Sequence, residues 1–510
     1  MENKNFTMPR QLKGLHVHFV GIKGTGMAAL VEIMVHSGVI ITGSDVSERF
    51  YTDEVLEKLG IIPKTFSFDN ITDDIDFVIY SSAYKLDKNE DLIAAVKKNV
   101  PCLAYNQALG QYSRNFYSCG ICGVHGKTST TGITGTILKE MNLPVQILCG
   151  SKITSFGDSC TFTSEQFIKN TVSHTDNLPS VFVAETCEYQ RHFMEFFPKT
   201  IILTSVESDH EDYYPTFEDI QNAFVDYICK LPENGNLIYC ADDAGAVSTV
   251  EIVRNERKRS DINFIPYGFS CSDSSDFKIV REEICDGFQK FSINLFKQKG
   301  FSNFILAVPG NHEVLDACAA VIMCCKILSY LEKNPFDYYS AIYNGLKNFS
   351  GGKRRSEIVA RTKICNNDVI VIDDYGHHPT AVSVTLKGYK EFYKKRKIII
   401  DFMSHTYSRT QSLLEEFSKC FTDADVVILH KIYSSARENP NDFTITGKTL
   451  FEKVKQNFKN PQNVHYFEEV MDAKDFVLQE LAKPLGDQYD GYLFVTMGAG
   501  DNWKLGKEIK

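Results

Sequence analysis

The sequence predicts an α/β protein of three domains, each built around a mainly parallel β-sheet. Its 510 residues correspond to about three domains at roughly 100–200 residues each. Short apolar runs recur without the polar alternation of half-exposed strands, which indicates strands that are covered on both faces. Segments of helical periodicity lie between these runs, for example over residues 312–331. Alternating strands and helices of this kind are typical of parallel sheets.

Most of the predicted strands end in a polar residue or a glycine, and function collects at this end of the strands in parallel α/β folds. The runs assigned as strands are 17–21, 77–82, 181–185, 201–204, 369–374, 398–401, 426–430 and 493–496. Domain boundaries are placed near residue 115, before a glycine-rich loop, and at Gly351 and Gly352. They give domains 1–115, 116–352 and 353–510. The polar, irregular stretch 271–301 is predicted to be a hairpin insertion.

Composition and charge exclude several classes of protein. The net charge is −10 and the basic runs 353–355 and 394–397 are short, so we expect no nucleic-acid partner. No run of about 18 apolar residues occurs, and residues 1–13 lack the apolar core of a signal peptide, so we expect no membrane association. The 15 cysteines are odd in number and often lie in apolar runs, which is typical of reduced thiols in a cytoplasmic protein. Cys119 and Cys122 have no second pair at zinc-site spacing.

The first glycine-rich loop follows the first predicted strand and opens a helical segment. It reads Gly21-Ile22-Lys23-Gly24-Thr25-Gly26. Glycines let a backbone approach a diphosphate, whose charge a helix N-terminus stabilises. Asp45, 19 residues after Gly26, is suitably placed for a ribose hydroxyl. Lys23 takes the position of the middle glycine of G-x-G-x-x-G, so these residues alone leave a dinucleotide site and a packing turn both open.

The second loop is predicted to bind the phosphates of a nucleoside triphosphate. It reads Gly123-Val124-His125-Gly126-Lys127-Thr128-Ser129-Thr130. Its backbone N–H groups would surround phosphate oxygens, Lys127 would meet the β- and γ-oxygens, and the Thr128 hydroxyl would ligate Mg²⁺. Ile121 stands where the usual spacing has its first glycine, but G-K-T-S-T at a strand–helix junction still favours a phosphate loop.

Carboxylates and a histidine follow the next two predicted strands. Glu185 closes a strand and would supply the hard oxygen ligand that Mg²⁺ prefers. Glu188 is predicted to be a solvated residue at a helix start. The acidic stretch 207–214 contains His210 and suits a second metal or a bound water, and an acidic helix cap is an equal alternative.

Two polar clusters lie at strand ends in the last predicted domain. They are Asp373-Asp374-Tyr375-Gly376-His377-His378-Pro379 and His405-Thr406-Tyr407-Ser408-Arg409-Thr410. A lone buried histidine is usually a core residue, but two such clusters at neighbouring strand ends indicate a site. The Arg409 guanidinium would pair with a carboxylate through two hydrogen bonds.

In this joint order the motifs resemble the Mur ligases of bacterial cell-wall synthesis, and the resemblance covers nearly the whole chain. It includes the phosphate loop, which is similar to the family's own variant of that motif. The other matching segments are 18–27, 43–45, 81–83, 185–193, 209–214, 353–355, 373–379, 405–410, 433–439 and 497–501. Each segment alone is modestly specific, and the resemblance rests on their occurring together in this order.

The resemblance implies a Rossmann-like UDP-sugar domain, a central P-loop ATPase domain, and a Rossmann-like C-terminal domain that closes over the site. It also implies the reaction. ATP would activate the lactyl carboxylate of UDP-N-acetylmuramate as an acyl phosphate, and L-alanine would attack it to form an amide in peptidoglycan precursor synthesis. The phosphate loop agrees with this chemistry, because a carboxylate and an amine do not condense at neutral pH without activation.

The resemblance further implies roles for individual residues. The UDP-sugar would contact Gly21, Gly24, Thr25, Gly26, Asp45 and Ser81. ATP would contact Gly123, His125, Gly126, Lys127, Thr128, Ser129 and Asp373, and Mg²⁺ would contact Thr128, Glu185 and His210. The amino acid would contact Tyr375, His377 and Arg409, and the implied catalytic residues are Lys127, His210, His377 and Arg409.

Some positions depart from the family pattern. Glu313 and Asp316 stand where many relatives carry asparagines associated with adenine recognition. Ser356 replaces an aromatic residue, and Thr406 replaces an arginine of some relatives, which weakens a two-arginine scheme of amino-acid binding. Two other interpretations stay open. One is a ligase that recycles a preformed peptide onto UDP-N-acetylmuramate, and the other is a non-catalytic nucleotide-sugar-binding protein.

Overall fold

The structure, a computed structural model, describes residues 6–509 except 51, 173–178, 211, 273, 274, 276, 286, 296, 297 and 435–437. By its internal contacts the chain divides into two compact units. The first unit comprises Met1–Glu207, Ile220–Asp273 and Ala317–Leu346, and the second comprises Ser208–Asp219, Ser274–Asp316 and Lys347–Lys510. The described residues form three mainly parallel sheets and one small antiparallel sheet, which confirms the predicted α/β fold.

Four parallel strands form the first sheet, in the first unit. They are β1 (His16–Val20), β2 (Ile40–Ser44), β3 (Phe77–Tyr80) and β4 (Cys102–Ala104), in the order β2-β1-β3-β4. The helices that accompany them are α1 (Thr25–His36), α2 (Asp53–Lys58), α3 (Glu90–Lys97) and α4 (Tyr105–Ser113). Because β1 lies between β2 and β3, the strand order reverses there, and ligands of such sheets bind at the carboxyl ends beside the reversal.

Seven strands form the second sheet, also in the first unit. They are β5 (Tyr117–Cys122), β6 (Val145–Ile153), β7 (Ser159–Thr163), β8 (Val181–Glu185), β9 (Thr200–Leu203), β10 (Asn236–Cys240) and β11 (Asn263–Tyr267). Their order is β11-β10-β9-β5-β8-β6-β7, and only the β6–β7 pair is antiparallel. The associated helices are α5 (Lys127–Met141), α6 (Glu165–Val172), α7 (Phe217–Ile228) and α8 (Ala244–Glu251). The loop after β5 therefore leaves the middle of the sheet.

Helices α1 and α4 tie the two sheets of the first unit together. Nδ1 of His36, the last residue of α1, lies 3.1 Å from the Thr163 hydroxyl of β7. The hydroxyl of Tyr112 on α4 donates to Gln146 of β6 at 2.7 Å and lies 3.1 Å from that of Ser37. The Tyr112 side chain is fully buried. Buried polar contacts of this kind fix the two sheets to each other within the unit.

A small antiparallel sheet lies in the second unit, in the region where a hairpin insertion was predicted. Its strands are β12 (Ile279–Cys285), β13 (Phe288–Leu295) and β14 (Gln298–Leu306), so the structure adds a third strand to the hairpin. Two helices follow, α9 (Asn311–Tyr330) and α10 (Tyr339–Asn348). The predicted helix over 312–331 agrees with α9 to within one residue at each end.

Six strands form the third sheet, in the second unit. They are β15 (Glu357–Ile364), β16 (Asn367–Asp374), β17 (Arg396–Phe402), β18 (Val426–Leu429), β19 (Val464–Tyr466) and β20 (Gly491–Met497), in the order β15-β16-β20-β17-β18-β19. Only β15 is antiparallel to its neighbour. The helices are α11 (Pro379–Phe392), α12 (Tyr407–Ser412), α13 (Leu414–Phe417), α14 (Gly447–Asn457), α15 (Lys474–Ala482) and α16 (Trp503–Glu508).

The third sheet shows why its inner strands contain apolar runs without polar alternation. Ile370 and Ile372 of β16 pack in one core cluster with Leu386 of α11, whereas Val369 and Val371 pack in another. Successive side chains of a strand point to opposite faces, so a sheet covered on both sides needs apolar residues at both parities.

The structure bears on two further expectations. All 15 cysteines are free thiols, and most are buried, as predicted for a reduced protein. In the part of the chain that the structure describes, no helix combines the length and the apolar character that crossing a membrane requires.

Candidate active site

The first glycine-rich loop runs from the end of β1 into α1. Gly21 has a φ of +80°, and a Cβ there would lie 2.9 Å from Cβ of Ser81 at the end of β3, so only glycine fits. The backbone N–H of Gly21 donates to the Ser44 carbonyl at 2.8 Å, which ties the loop to β2. Gly24 is the N-cap of α1 and Thr25 begins the helix. The first turn of a helix directs its backbone N–H groups outward and carries a partial positive charge, so an anion is favoured at this end of α1.

Asp45 holds the loop in place. The residue is 5% exposed. Its Oδ2 accepts from the backbone N–H of Lys23 at 2.7 Å, and its Oδ1 accepts from the Val46 N–H at 2.8 Å and the Tyr84 hydroxyl at 3.1 Å. The carboxylate predicted to meet a ribose hydroxyl is thus already engaged by three protein donors.

The Lys23 ammonium is directed at the segment that follows Asp45. It donates to the carbonyls of Glu48 at 2.7 Å and Val46 at 3.0 Å, and it lies 3.2 Å from Oδ1 of Asp53. The Lys23 side chain is only 8% exposed. In this structure Lys23 therefore holds Val46, Glu48 and Asp53 beside the loop.

The phosphate loop connects β5 to α5. Gly123 and Gly126 have φ values of +137° and +78°. A Cβ at Gly123 would lie 2.0 Å from Oγ1 of Thr204, at the end of β9. The backbone N–H of His125 donates to the Ser205 hydroxyl at 2.9 Å. These contacts hold the loop against the end of β9. Gly123 leaves no room for a side chain, and the positive φ of Gly126 favours glycine.

Lys127, the first residue of α5, is half-buried, with 15% of its side chain exposed, and is ion-paired. Its Nζ donates to the Gly123 carbonyl at 2.5 Å and to Oε1 of Glu188 at 3.0 Å. Glu188 is 2% exposed, so the prediction of a solvated residue at this position is wrong. Burial alone would lower the pKa of Lys127, but the carboxylates of Glu188 and Glu185 raise it above its usual value. The Lys127 side chain is therefore a cation at neutral pH.

Thr128 and Glu185 lie side by side, and Ser129 is buried next to them on α5. The Thr128 hydroxyl donates to Oε1 of Glu185 at 3.1 Å, and Oε2 accepts from the Gly150 N–H at 2.7 Å. A hydroxyl and a carboxylate in contact are the hard oxygen donors that suit Mg²⁺, so these residues fit the predicted ion. His210, the third predicted ligand, belongs to the second unit.

Asp373 ends β16 and is 4% exposed. Its Oδ2 accepts from Nε of Arg354 at 2.9 Å, and its Oδ1 accepts from the Thr496 hydroxyl at 2.8 Å. Burial raises the pKa of Asp373, and Arg354 and Thr496 oppose this rise without cancelling it. The residue predicted to contact adenosine thus has a protein donor on each oxygen.

The turn after β16 places Tyr375 beside His377. Asp374 accepts from the Gly376 N–H at 2.7 Å and shapes the turn. Nδ1 of His377 lies 2.9 Å from the Tyr375 carbonyl, and the centroids of the two rings are 5.1 Å apart. Burial lowers the pKa of His377 well below its usual value, and the Arg409 cation lowers it further, so the imidazole is neutral at neutral pH.

Arg409, on α12, forms a buried ion pair with Asp209. Its Nη2 and Nε lie 2.5 Å and 3.2 Å from Oδ1 of Asp209, and each side chain is 6% exposed. Burial would raise the pKa of Asp209, but Arg409, with His210 and His377 beyond it, lowers it well below its usual range. The guanidinium predicted to bind an amino-acid carboxylate already binds a carboxylate of the chain itself.

The predicted site residues fall into two groups. The first unit brings together those assigned to the UDP-sugar and the phosphates, which are Gly21, Gly24, Thr25, Gly26, Asp45, Ser81, Gly123, His125, Gly126, Lys127, Thr128, Ser129 and Glu185. The second unit contains His210, Asp373, Tyr375, His377 and Arg409. Glu188 and Asp209 are ionic partners of Lys127 and Arg409 that were not predicted as site residues, and the signal for them in the sequence was their place within the motifs 185–193 and 209–214.

Three family models match the chain in order. The catalytic domain of the Mur ligase family matches residues 16–117, the Mur ligase middle domain residues 121–324, and the Mur ligase glutamate ligase domain residues 354–500. A curated relative, the UDP-N-acetylmuramate–L-alanine ligase of Treponema pallidum (strain Nichols), is 42% identical over 510 residues, 99% of this chain and 98% of that protein. The chain belongs to the Mur ligase family.

Other Mur ligases extend the comparison. The UDP-N-acetylmuramate–L-alanine ligase of Borreliella burgdorferi is 36% identical over 494 residues, 96% of this chain and 97% of that protein. The crystal structure of the UDP-N-acetylmuramate–alanine ligase of Thermotoga maritima is 22% identical, covers 97% of this chain and 98% of its own, and has a TM-score of 0.69. A murein peptide ligase of Psychrobacter arcticus 273-4 is 20% identical, covers 98% and 100%, and has a TM-score of 0.60. Both structures support the three-domain Mur ligase fold.

The residues that depart from the Mur ligase pattern are buried or have a structural role here. Glu313 and Asp316 are 4% and 5% exposed. The Ser356 hydroxyl accepts from the Tyr389 hydroxyl at 3.0 Å. Thr406 is the N-cap of α12, where its hydroxyl accepts from the backbone N–H of Arg409 at 3.4 Å. Thr406 thus shapes the turn that presents Arg409.

Proposed function

We propose that this Mur ligase joins L-alanine to the lactyl carboxylate of UDP-N-acetylmuramate, with conversion of ATP to ADP and phosphate, in peptidoglycan precursor synthesis. The observation that carries the proposal is the 42% identity, over 99% of the chain, to the Treponema pallidum ligase of that name. The half-buried, ion-paired cation Lys127 at the start of α5 supports the ATP-dependent part of this activity.

We assign the three steps of substrate handling to three domains. Residues 1–115 would bind the UDP-sugar, residues 116–352 ATP, and residues 353–510 the amino acid. The three family models, over 16–117, 121–324 and 354–500, support boundaries close to these positions.

The diphosphate of UDP-N-acetylmuramate would lie at the N-terminus of α1. The loop contains the small residues Gly21, Gly24, Thr25 and Gly26. Their short side chains would let phosphate oxygens approach the backbone N–H groups closely. Ser81 borders this loop from the end of β3. Asp45 serves the same site by holding the loop through the Lys23 N–H.

The triphosphate of ATP would lie over the loop of residues 123–129. The backbone N–H groups of this loop and the Lys127 ammonium offer donors to the phosphate oxygens. Mg²⁺ would be held by Thr128 and Glu185 with His210, and when bound it would neutralise phosphate charge. Asp373 would contact the adenosine part.

The chemistry divides into activation and amide formation. The lactyl carboxylate attacks the γ-phosphorus of ATP, the bond to the β,γ-bridging oxygen breaks, and ADP leaves from an acyl phosphate. The amine of L-alanine then attacks the acyl carbon, phosphate leaves, and the amine loses a proton. Phosphoryl transfer depends mainly on positioning and charge neutralisation, and Lys127 supplies a fixed positive charge for it.

The amino acid would bind near Tyr375, His377 and Arg409. A neutral His377 would not repel the ammonium group of L-alanine and can accept a hydrogen bond from it. Arg409 would contact the carboxylate of the amino acid, in exchange for or alongside Asp209.

The experiment is an ADP-release assay of the purified protein with ATP, Mg²⁺, UDP-N-acetylmuramate and single amino acids. We expect L-alanine to raise ADP release well above background and mass spectrometry to find UDP-N-acetylmuramoyl-alanine. Glycine and L-serine serve as matched comparisons, because they differ from alanine by one methyl or one hydroxyl group.

The same assay separates the alternatives. The likeness to a murein peptide ligase makes a preformed peptide that begins with L-alanine the natural competitor substrate. ADP release with that peptide but not with L-alanine would indicate a recycling ligase. Binding of UDP-N-acetylmuramate without ADP release for any amino acid or peptide would indicate a non-catalytic protein. Either result contradicts the proposal.

A further inference from the structure

Tyr105 is the first residue of α4, and α4 is held firmly between the two sheets of the first unit. Gly110, in the middle of the helix, packs so closely that a Cβ there would lie 2.2 Å from the Glu195 carbonyl oxygen, beyond β8. At the end of the helix, Tyr112 donates to Gln146 of the second sheet at 2.7 Å. The position of Tyr105 is therefore set by a rigid element rather than by a loop.

The ring of Tyr105 lies directly against Gly26. A Cβ built at Gly26 would lie 2.9 Å from Cζ and 3.0 Å from Oη of Tyr105, closer than real Cβ atoms come to other atoms. Gly26 thus has a second reason to be a glycine, besides the approach of a phosphate. The Tyr105 hydroxyl consequently borders the first turn of α1, where an anion is favoured.

The other groups that act on the Tyr105 hydroxyl belong to the second sheet of the first unit, where ATP is proposed to bind. Burial raises the pKa of the Tyr105 phenol, and Cys187, Glu185 and Cys160 raise it further, so the phenol keeps its proton and stays a donor. Among the residues that the structure describes, this half-buried hydroxyl makes no hydrogen bond. The hydroxyl is not closed off from solvent, so it is available to donate a hydrogen bond to a bound ligand.

We propose that Tyr105 donates a hydrogen bond to UDP-N-acetylmuramate on the muramyl side of its diphosphate and so positions the lactyl carboxylate. The substrate must reach from the N-terminus of α1 towards Glu185, where ATP would activate the lactyl carboxylate. Tyr105 packs against Gly26 of that N-terminus, and its phenol is within electrostatic reach of Glu185. The uridine end of the substrate lies on the other side of the diphosphate, so Tyr105 makes no contact with it. This inference rests on the proposed function.

The test is a comparison of two ligands on Tyr105→Phe by isothermal titration calorimetry. The phenylalanine keeps the ring against Gly26 and removes only the donor. We expect the affinity for UDP-N-acetylmuramate to fall about tenfold, as for one hydrogen bond to a charged or strongly polar acceptor, and the affinity for UDP to stay within about twofold. Tyr117→Phe is the matched control, because its hydroxyl lies at the opposite end of β5, 2.8 Å from that of Thr200. It should leave both affinities unchanged.

Two outcomes would overturn the proposal. Unchanged affinity for UDP-N-acetylmuramate would show that the hydroxyl makes no contact with the substrate. Equal weakening of UDP and UDP-N-acetylmuramate would place the contact on the nucleotide. ATP titration of each variant checks that the first unit is folded. The titrations do not depend on turnover, so a failure of the proposed ligase reaction would be seen separately, as absent ADP release with L-alanine.

Discussion

Arg409 and Asp209, 200 residues apart in the chain, form one ion pair with both side chains 6% exposed. The guanidinium uses two of its nitrogens on a single oxygen of the carboxylate. A carboxylate of the chain itself orients the guanidinium and offsets the cost of burying its charge. The ion pair is therefore the arrangement that we assign to Arg409 before an amino acid binds.

Arg409→Ala should affect both amino-acid binding and the stability of the fold. We expect the KM for L-alanine to rise about tenfold, since a carboxylate contact is lost, and the free energy of unfolding to fall by about 3–5 kcal/mol, since Asp209 is left buried without a counter-charge. Steady-state kinetics and urea unfolding measure the two effects. The double variant Arg409→Ala with Asp209→Asn should recover stability but not KM. A KM equal to that of the wild type would remove Arg409 from the amino-acid site.

Lys127→Ala should lower kcat at least ~10²-fold, the usual effect of removing one preorganised group that stabilises developing charge. The assay is ADP release at saturating substrates. Lys139→Ala is the control, because Lys139 lies on the same helix, is exposed, and donates to the Ser155 carbonyl away from the phosphate loop. Activity of Lys127→Ala within tenfold of the wild type would show that the phosphoryl transfer does not use this cation.

Glu188→Gln should move the alkaline limb of the pH–activity profile to lower pH. Burial lowers the pKa of Lys127 and the Glu188 carboxylate raises it, so removing the carboxylate lets the lysine lose its proton earlier as the pH rises. The measurement is kcat/KM for ATP between pH 7 and 10. Glu165→Gln, an exposed carboxylate on α6, is the matched control. An unshifted limb would mean that Glu188 does not set the charge of Lys127.

His377→Asn should flatten the acid side of the stability curve. The pKa of His377 is lowered in the folded protein, so the unfolded chain binds more protons below about pH 6.5 and stability falls as the pH falls through that window. One such group contributes a slope of at most about 1.4 kcal/mol per pH unit. Urea unfolding between pH 5 and 8 should show a smaller slope for the variant below pH 6.5 and parallel curves above it. Parallel curves throughout would contradict a His377 whose pKa is lowered in the folded protein.

The parts of the site that could be predicted from the sequence are those encoded locally. Lys127 and Thr128 follow a strand and open a helix within one motif, and Glu185 closes the neighbouring strand, so spacing alone predicts their edge of the sheet. Glu188 could not be placed in the same way, because its burial depends on Lys127, 61 residues earlier. Tyr105 likewise carries no motif, and its meaning comes only from packing against Gly26.

The side-chain contacts of His36 and Tyr112 with the second sheet predict how the first unit unfolds. Since they cross from the first sheet to the second within one unit, heat or urea should melt both sheets in a single cooperative transition. A fragment cut at residue 115 would keep the tyrosine and lose Gln146, its acceptor. Such a fragment would retain the loop for the nucleotide sugar. It would also expose the faces of α1 and α4 that pack against the second sheet in the whole protein, and the loop would lose that support.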